Sequence, residues 1–435
     1  MRKMAWAVAA AMLAAGNVQA RAQHAVAAAP AGPATIATLF EGAERGEIGP
    51  LERALANARG DEAVLLRARI AAARFDRQAA RDPALARIAE RGAPAEREAA
   101  LAIVAGAGFA NGDYRAAASA GRRLAEAQAV RGDGRAADTA RMWRLAELLA
   151  AQPAQRIEPA APGSVAARTD KVGLPRIDIQ VNGQAQEAVF DTGASLSVLS
   201  AETARRLGVT ILEQAAEVGN GVQGTVPVRL GIAERVEVAG TVLRNHPFLI
   251  IDDAQLTFAQ VPGGYDIRAI FGLPAMRALG RMRMEAGRLT VLAPAAGAAG
   301  APNLAASGNQ LYVETGVAGR TLPLHLDTGA NQTALSPLYA AAEPARIAGL
   351  ATGQARMASA GGTRASNMAT WADAPIELAG RSLTLPQLPV RLAGDGPEAR
   401  DYGTLGSNVL RRFDSYTLDL RAMRLELGEP VTPGP

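Results

Sequence analysis

Two acidic residues stand in near-identical surroundings, Asp191 in AVFDTGASLSVLS (188–200) and Asp327 in PLHLDTGANQTALS (323–336). Two carboxyls that share one proton can activate a water. The ionised group takes the water's proton, while the protonated group hydrogen-bonds and polarises a carbonyl oxygen. Carboxyls about 3 Å apart cannot both ionise, which separates their titrations. The two acids therefore predict hydrolysis of a peptide bond without a metal or a covalent intermediate.

The residues next to each acid fit that chemistry. Gly193 and Gly329 have no side chain, so the two loops can approach each other closely. Thr192 and Thr328 supply hydroxyls that can bond across to the backbone of the opposite loop. Apolar residues precede each acid, which predicts that each carboxyl sits at the end of a rigid, buried strand.

The elements that position the acids form a repeat. VEVAGTVL (236–243) matches IELAGRSL (376–383), and IFGLPAMRAL (270–279) matches TLGSNVLRRF (404–413), in the same order after each acid. Both blocks close with a hairpin-like pair of strands. The alternative is that each Asp is only a hydrogen-bond acceptor in a turn between strands. A turn, however, does not require the later segments of the sequence to repeat as well. The pattern indicates a duplicated β-domain.

The two DTGA words and the later apolar-apolar-Gly words resemble those of retropepsin-like aspartic proteases, of the exported bacterial kind with two fused lobes. The resemblance covers about residues 170–428. It implies that Asp191 and Asp327 are catalytic, that the threonines grip one lobe to the other, and that the later motifs support the acidic loops. The implied support residues are Thr192, Gly193, Thr328, Gly329, Gly272 and Gly406.

The resemblance also implies glycine-rich flaps that close over a substrate. They would fall near VGNGVQGTV (218–226) and ASAGGT (358–363). The candidate substrate-binding residues at these flaps are Gly221, Val222, Gly361 and Gly362.

The sequence departs from the family pattern at three positions. Thr404 interrupts the aliphatic form of the second support motif. Ala194 and Ala330 stand where pepsin-type sites carry a hydroxyl residue. Loss of that donor removes a hydrogen bond that favours the ionised acid. We therefore expect a pH optimum less acidic than that of digestive aspartic proteases.

The predicted fold class is α + β multidomain, with a helical domain followed by two mainly-β retropepsin-like lobes that form an intramolecular pseudo-dimer. Apolar residues recur at helical spacing before the first linker, and short Val- and Ile-rich runs follow it. The helical domain is either an Ala-rich bundle or a TPR-like (tetratricopeptide) repeat that binds a protein partner. The predicted segments are a signal peptide (1–20), the helical domain (35–152), a linker (153–169), lobe 1 (170–292), a second linker (293–309) and lobe 2 (310–428).

Composition and the N-terminal residues give expectations about cofactors and cellular location. The chain has no cysteine and three histidines among its 435 residues, and we expect neither a metal nor another cofactor. Its charge of +4 is spread along helical segments, which does not favour nucleic-acid binding. Arg2 and Lys3 precede a short apolar run, typical of a signal peptide. We expect a periplasmic or secreted protein with no membrane span after cleavage.

Two questions stay open at this stage. The chain is either an endopeptidase acting on a protein or peptide, or a non-catalytic exported scaffold whose lobes and helical domain bind peptides and recruit a partner. The acids can meet within one chain or between chains. The second linker is long enough for the first arrangement, and its high effective concentration favours it.

Overall fold

A computed structural model describes residues 6–8, 35–158, 162–220, 224–295, 300–359, 362–393 and 400–431. The N-terminal region is helical, and Leu65, Leu85 and Leu101 are buried in its core. Asp82 and Asp113 cap two of its helices through their side chains. The helices are α1 (Ile36–Glu44), α2 (Gly49–Leu55), α3 (Gly60–Ala73), α4 (Pro83–Arg91), α5 (Pro94–Ala110), α6 (Tyr114–Val130) and α7 (Ala136–Ala150).

Apart from one short strand near the N-terminus, the strands follow these helices in the chain. Trp6–Val8, the described part of the predicted signal peptide, forms β1 beside Arg356–Ala358; the rest of 1–20 lies outside the described residues. The strands up to the end of lobe 1 are β2 (Arg156–Glu158), β3 (Ser164–Thr169), β4 (Pro175–Val181), β5 (Gln184–Asp191), β6 (Ser197–Ser200), β7 (Thr210–Asn220), β8 (Gly224–Val238), β9 (Thr241–Ile251), β10 (Ala269–Gly272), β11 (Arg281–Glu285) and β12 (Arg288–Leu292). The helices here are α8 (Ala201–Arg206) and α9 (Leu273–Leu279).

The rest of the chain again consists mainly of strands with short helices between them. Its strands are β13 (Leu304–Ser307), β14 (Gln310–Val317), β15 (Arg320–Asp327), β16 (Ala334–Leu335), β17 (Ala351–Ser359), β18 (Gly362–Leu378), β19 (Arg381–Arg391), β20 (Gly403–Gly406), β21 (Ser415–Asp419) and β22 (Arg424–Leu427). Its helices are α10 (Pro337–Ala342), α11 (Pro344–Ile347) and α12 (Ser407–Leu410).

The two lobes have the same strand order. Lobe 1 runs β4-β5-β10-β6-β9-β8-β7, and lobe 2 runs β14-β15-β20-β16-β19-β18-β17. In each lobe the strand that ends at the acid pairs in parallel with a strand from late in the lobe, Asp191 opposite Gly272 and Asp327 opposite Gly406. The sequence repeat thus corresponds to a repeat in topology.

The closing hairpins of the lobes pair with each other. Strands β11 and β12 form one hairpin, β21 and β22 the other, and β11 pairs with β21 in antiparallel register from Arg281↔Asp419 to Glu285↔Ser415. Met282 and Leu418, opposite each other in this register, are both buried. The lobes are therefore joined through a shared sheet.

Both predicted linkers contain short strands. Within 153–169, β2 pairs with β9, and β3 pairs with β12 and β4. Within 293–309, β13 pairs with β14. The Pro- and Ala-rich composition hides these short strands, because their pairing is supplied by strands elsewhere in the chain.

The helical region packs against lobe 1. Helix α7 contacts β7, and Leu145 and Leu149 belong to the same buried cluster as Val218 and Val226. The Arg277 guanidinium donates to Asn111 Oδ1 at 2.6 Å and lies 3.9 Å from the centroid of the Phe75 ring. Among the helices that the structure describes, none is both long and apolar enough to cross a membrane.

Candidate active site

The two acids lie at the ends of equivalent strands. Asp191 is the last residue of β5, and Asp327 is the last residue of β15. The residues before them, Val189, Phe190 and Leu326, are buried, so each strand is held by the core up to its acid. Both acids have no solvent-exposed surface.

The threonines bond across the lobes in a symmetric pattern. Thr192 Oγ1 donates to the Leu326 carbonyl at 2.6 Å and accepts from the Thr328 N–H at 3.0 Å. Thr328 Oγ1 donates to the Phe190 carbonyl at 2.6 Å and accepts from the Thr192 N–H at 3.0 Å. Each hydroxyl therefore satisfies two buried backbone groups of the opposite loop.

The glycines allow each acid to lie against the opposite loop. A Cβ on Gly193 would be 2.7 Å from Asp327 Cγ, and a Cβ on Gly329 would be 2.5 Å from Asp191 Oδ1. Ordinary carbon contacts begin near 3.5 Å. Neither position therefore has room for any side chain, and the two carboxyls reach a common space between the loops.

The surroundings of the acids favour retention of a proton. Burial, followed by the charge of Asp327 and a hydrogen bond with it, raises the pKa of Asp191 well above its usual value. Burial raises the pKa of Asp327 to about 6, against backbone hydrogen bonds that lower it. The Gly193 N–H donates to Asp191 Oδ1 at 2.8 Å. Within the described residues, Asp191 Oδ2 and both Asp327 oxygens receive no well-aligned hydrogen bond from the rest of the protein, so a proton held between the carboxyls suits them.

A hydroxyl behind each acid holds the supporting strand. Ser197 Oγ accepts from the Gly272 N–H at 3.2 Å, and Thr333 Oγ1 accepts from the Gly406 N–H at 3.0 Å. Sequence reasoning missed both hydroxyls. Each stands six positions after its acid, and comparison of the two repeats at that offset could have found them.

The predicted flaps coincide with two hairpins. Strands β7 and β8 pair from Thr210↔Ile232 to Asn220↔Gly224, and β17 and β18 pair out to Ser359↔Gly362. Gly221, Val222 and Gly361 lie outside the described residues. Gly362 is the first residue of β18.

In the part of the chain that the structure describes, no group of three or more His, Cys, Asp or Glu side chains is placed to hold a metal ion.

Two comparisons with known proteins found matches to part of the chain. Residues 177–275 match the family model described as aspartyl protease, a segment that contains Asp191, the β7–β8 hairpin and Gly272. The crystal structure of a retropepsin-like aspartic protease from Rickettsia conorii is similar at 18% identity and a TM-score of 0.22, over 32% of this chain and 95% of that chain. No curated protein matches the chain. The family match confirms the predicted resemblance to aspartic proteases and supports a protease in general terms.

Proposed function

We propose that the chain is an aspartic endopeptidase in which Asp191 and Asp327, one from each lobe, act as a single dyad. The observation that carries this proposal is the contact of each carboxyl with the glycine of the opposite loop, in an environment that raises both pKa values. A dyad holding one proton has the base and the acid that hydrolysis needs. The ionised carboxyl removes a proton from water, and the protonated one donates a hydrogen bond to the substrate carbonyl.

The other residues keep this pair in place. Thr192 and Thr328 fix the distance between the loops, and Gly272 and Gly406 hold the strands behind the acids. The β7–β8 and β17–β18 hairpins would cover a bound peptide. Because the strand order of the lobes is the same and the threonine bonds run within one chain, we propose an intramolecular pseudo-dimer.

Cleavage of an unfolded protein tests the proposal. We expect the purified chain to cut internal peptide bonds, seen as fragments by mass spectrometry, and Asp191→Asn to abolish the cutting. Asp178→Asn, at an exposed position of β4, is the matched control and should cut like wild type. Equal cleavage by wild type and Asp191→Asn would remove the basis of the proposal. Peptide binding without turnover would favour the scaffold function instead.

A mixing experiment tests the pairing within one chain. Asp191→Asn and Asp327→Asn each keep one intact acidic loop. If the lobes pair within the chain, a mixture of the two inactive variants stays inactive. Recovery of activity on mixing would show that lobes from different chains form the site.

The helical region is proposed to be a TPR-like protein-binding unit that acts on access to the site. Its support is the contact of α7 with β7, the outer strand of the first flap hairpin, through the cluster containing Leu149 and Val218. We also propose export to the periplasm or the medium. N-terminal sequencing of the protein from these fractions tests the cleavage near Ala20.

A further inference from the structure

His246 lies behind the first acid, outside the residues with a proposed catalytic role. It belongs to β9, has almost no exposed surface, and meets the Phe248 ring edge-on with 4.8 Å between ring centroids. Its Nδ1 is 2.7 Å from Gln155 Oε1, and its Nε2 is 2.9 Å from Ser197 Oγ. The imidazole therefore bridges the segment between helices and lobes to the hydroxyl behind Asp191.

The partners determine where each proton lies. Gln155 Oε1 can only accept, so His246 Nδ1 carries the proton and donates. His246 Nε2 is then an acceptor and receives the Ser197 hydroxyl proton. Ser197 Oγ keeps its lone pairs for the Gly272 N–H, which it accepts at 3.2 Å. Burial lowers the pKa of His246 to about 3, so the ring is neutral as this chain of hydrogen bonds requires.

In lobe 2, a different residue accepts the hydrogen bond from the equivalent hydroxyl. Thr333 Oγ1 accepts from the Gly406 N–H at 3.0 Å and donates to Asn408 Oδ1 at 2.8 Å. In both lobes, the hydroxyl six positions after the acid needs an acceptor so that its lone pairs face the supporting glycine. The acceptor is Asn408 in lobe 2 and His246 in lobe 1.

We infer that His246 is a positioning residue for Asp191, acting through Ser197 and Gly272. Gly272 lies opposite Asp191 in the parallel pairing of β10 with β5, so an oriented Ser197 hydroxyl fixes the strand against which the acid is set. Gln155 extends the connection to the segment that follows the helical region. This role rests on the proposed peptidase function.

The experiment compares His246→Phe with His246→Gln. Phe retains a planar ring but no acceptor, whereas the Gln Oε1 can lie near the position of Nε2 and accept from Ser197. We expect His246→Phe to lower kcat about tenfold or more with little change in KM, since a buried hydroxyl loses its partner. His246→Gln should recover most of the loss. Arg244→Gln, a surface change on the same strand, is the control and should match wild type.

The pH profile separates positioning from a general loss of folded protein. If His246→Phe leaves Asp191 less well positioned, the two acids couple more weakly. Weaker coupling brings the two apparent pKa values of the dyad together, so the bell-shaped pH profile of this variant should be narrower. A smaller folded fraction would lower the profile without changing its width. Ser197→Ala and the Ser197→Ala/His246→Phe double variant should show the same kcat, because the two residues act as one unit.

A spectroscopic readout does not depend on activity. The 15N shifts of His246 should report the Nδ1-protonated neutral ring from pH 7 down to about pH 4. An Nε2-protonated ring would overturn the inference, and so would a His246→Phe variant with wild-type kcat and profile width. An inactive wild-type chain would instead overturn the proposed function, and the catalytic meaning of His246 with it.

Discussion

Gly329→Ala tests the close approach of the two loops. The added methyl would lie 2.5 Å from Asp191 Oδ1 and closer still to the rest of that carboxyl. Ordinary contact needs about 3.5 Å, so the carboxyl or the loop must move by about 1 Å. Gly329 does not have a positive φ, so the backbone itself accepts alanine and the effect is steric.

The size of the expected loss follows from that displacement. A misplacement of about 1 Å at a catalytic group costs about 10²-fold in rate. Overpacking of a buried contact also destabilises by about 1–3 kcal/mol. We therefore expect Gly329→Ala to lower kcat about 10²-fold while most of the protein stays folded. Gly193→Ala, where the nearest atom would be Asp327 Cγ at 2.7 Å, should be milder.

The assay measures kcat on a peptide with an internal quencher, alongside thermal unfolding of each variant. Gly106→Ala is the matched control, because its Cβ would meet nothing within 4 Å and it lies inside α5. It should keep wild-type kcat and gain about 0.5–1 kcal/mol of stability. Wild-type turnover by a folded Gly329→Ala would refute the placement of Asp191 against the opposite loop.

Three further predictions follow from the same contacts. Thr192→Val removes the hydroxyl that bonds to the Leu326 carbonyl and the Thr328 N–H, which costs about 1–3 kcal/mol for each unpaired backbone group and should lower the melting temperature. Thr192→Ser keeps the hydroxyl and should restore the melting temperature. Equal melting temperatures for the two variants would contradict a stabilising role of these bonds between the lobes. Because the pKa values of both acids are raised, that of Asp327 to about 6, kcat/KM should rise through the lower apparent pKa to a maximum near or above pH 6, and a peak below about pH 4 would contradict this. Between about pH 4 and pH 6, the native dyad also holds more protons than the same residues do in the unfolded chain. The free energy of unfolding should therefore fall as the pH rises through this range, and the double Asn variant should not show this dependence. Leu149→Ala, at the contact of α7 with lobe 1, should destabilise the protein by about 2–5 kcal/mol and change KM more than kcat. An unchanged KM would contradict the proposed effect of the helical region on substrate access to the active site.

The parts of the site that the sequence could predict are the local ones. An acid after a buried strand, followed by Thr and Gly, specifies a strand end, a hydroxyl and a close approach without knowledge of the partner loop. Repetition of these residues at 191–193 and 327–329 then indicates that the partner is a second copy. The structure brings the two copies together, and each threonine hydroxyl donates to a backbone carbonyl of the opposite loop.

The parts that it could not predict depend on distant partners. Ser197 and His246 are ordinary strand residues in the sequence, and their roles appear only when β6, β9 and β10 lie side by side. Gln155 lies in a segment whose composition indicates a linker. The pairing of β11 with β21 is likewise invisible, because hairpin patterns predict pairing within a hairpin and not between two of them.

The kcat/KM values of Asp191→Asn, Asp327→Asn and the double variant test the shared dyad most directly. Because both acids serve one site, each single substitution should lower kcat/KM about 10³-fold or more, and the double variant should be no worse than either. Substantial activity in one single variant, or losses that simply add, would show that the two acids do not act together.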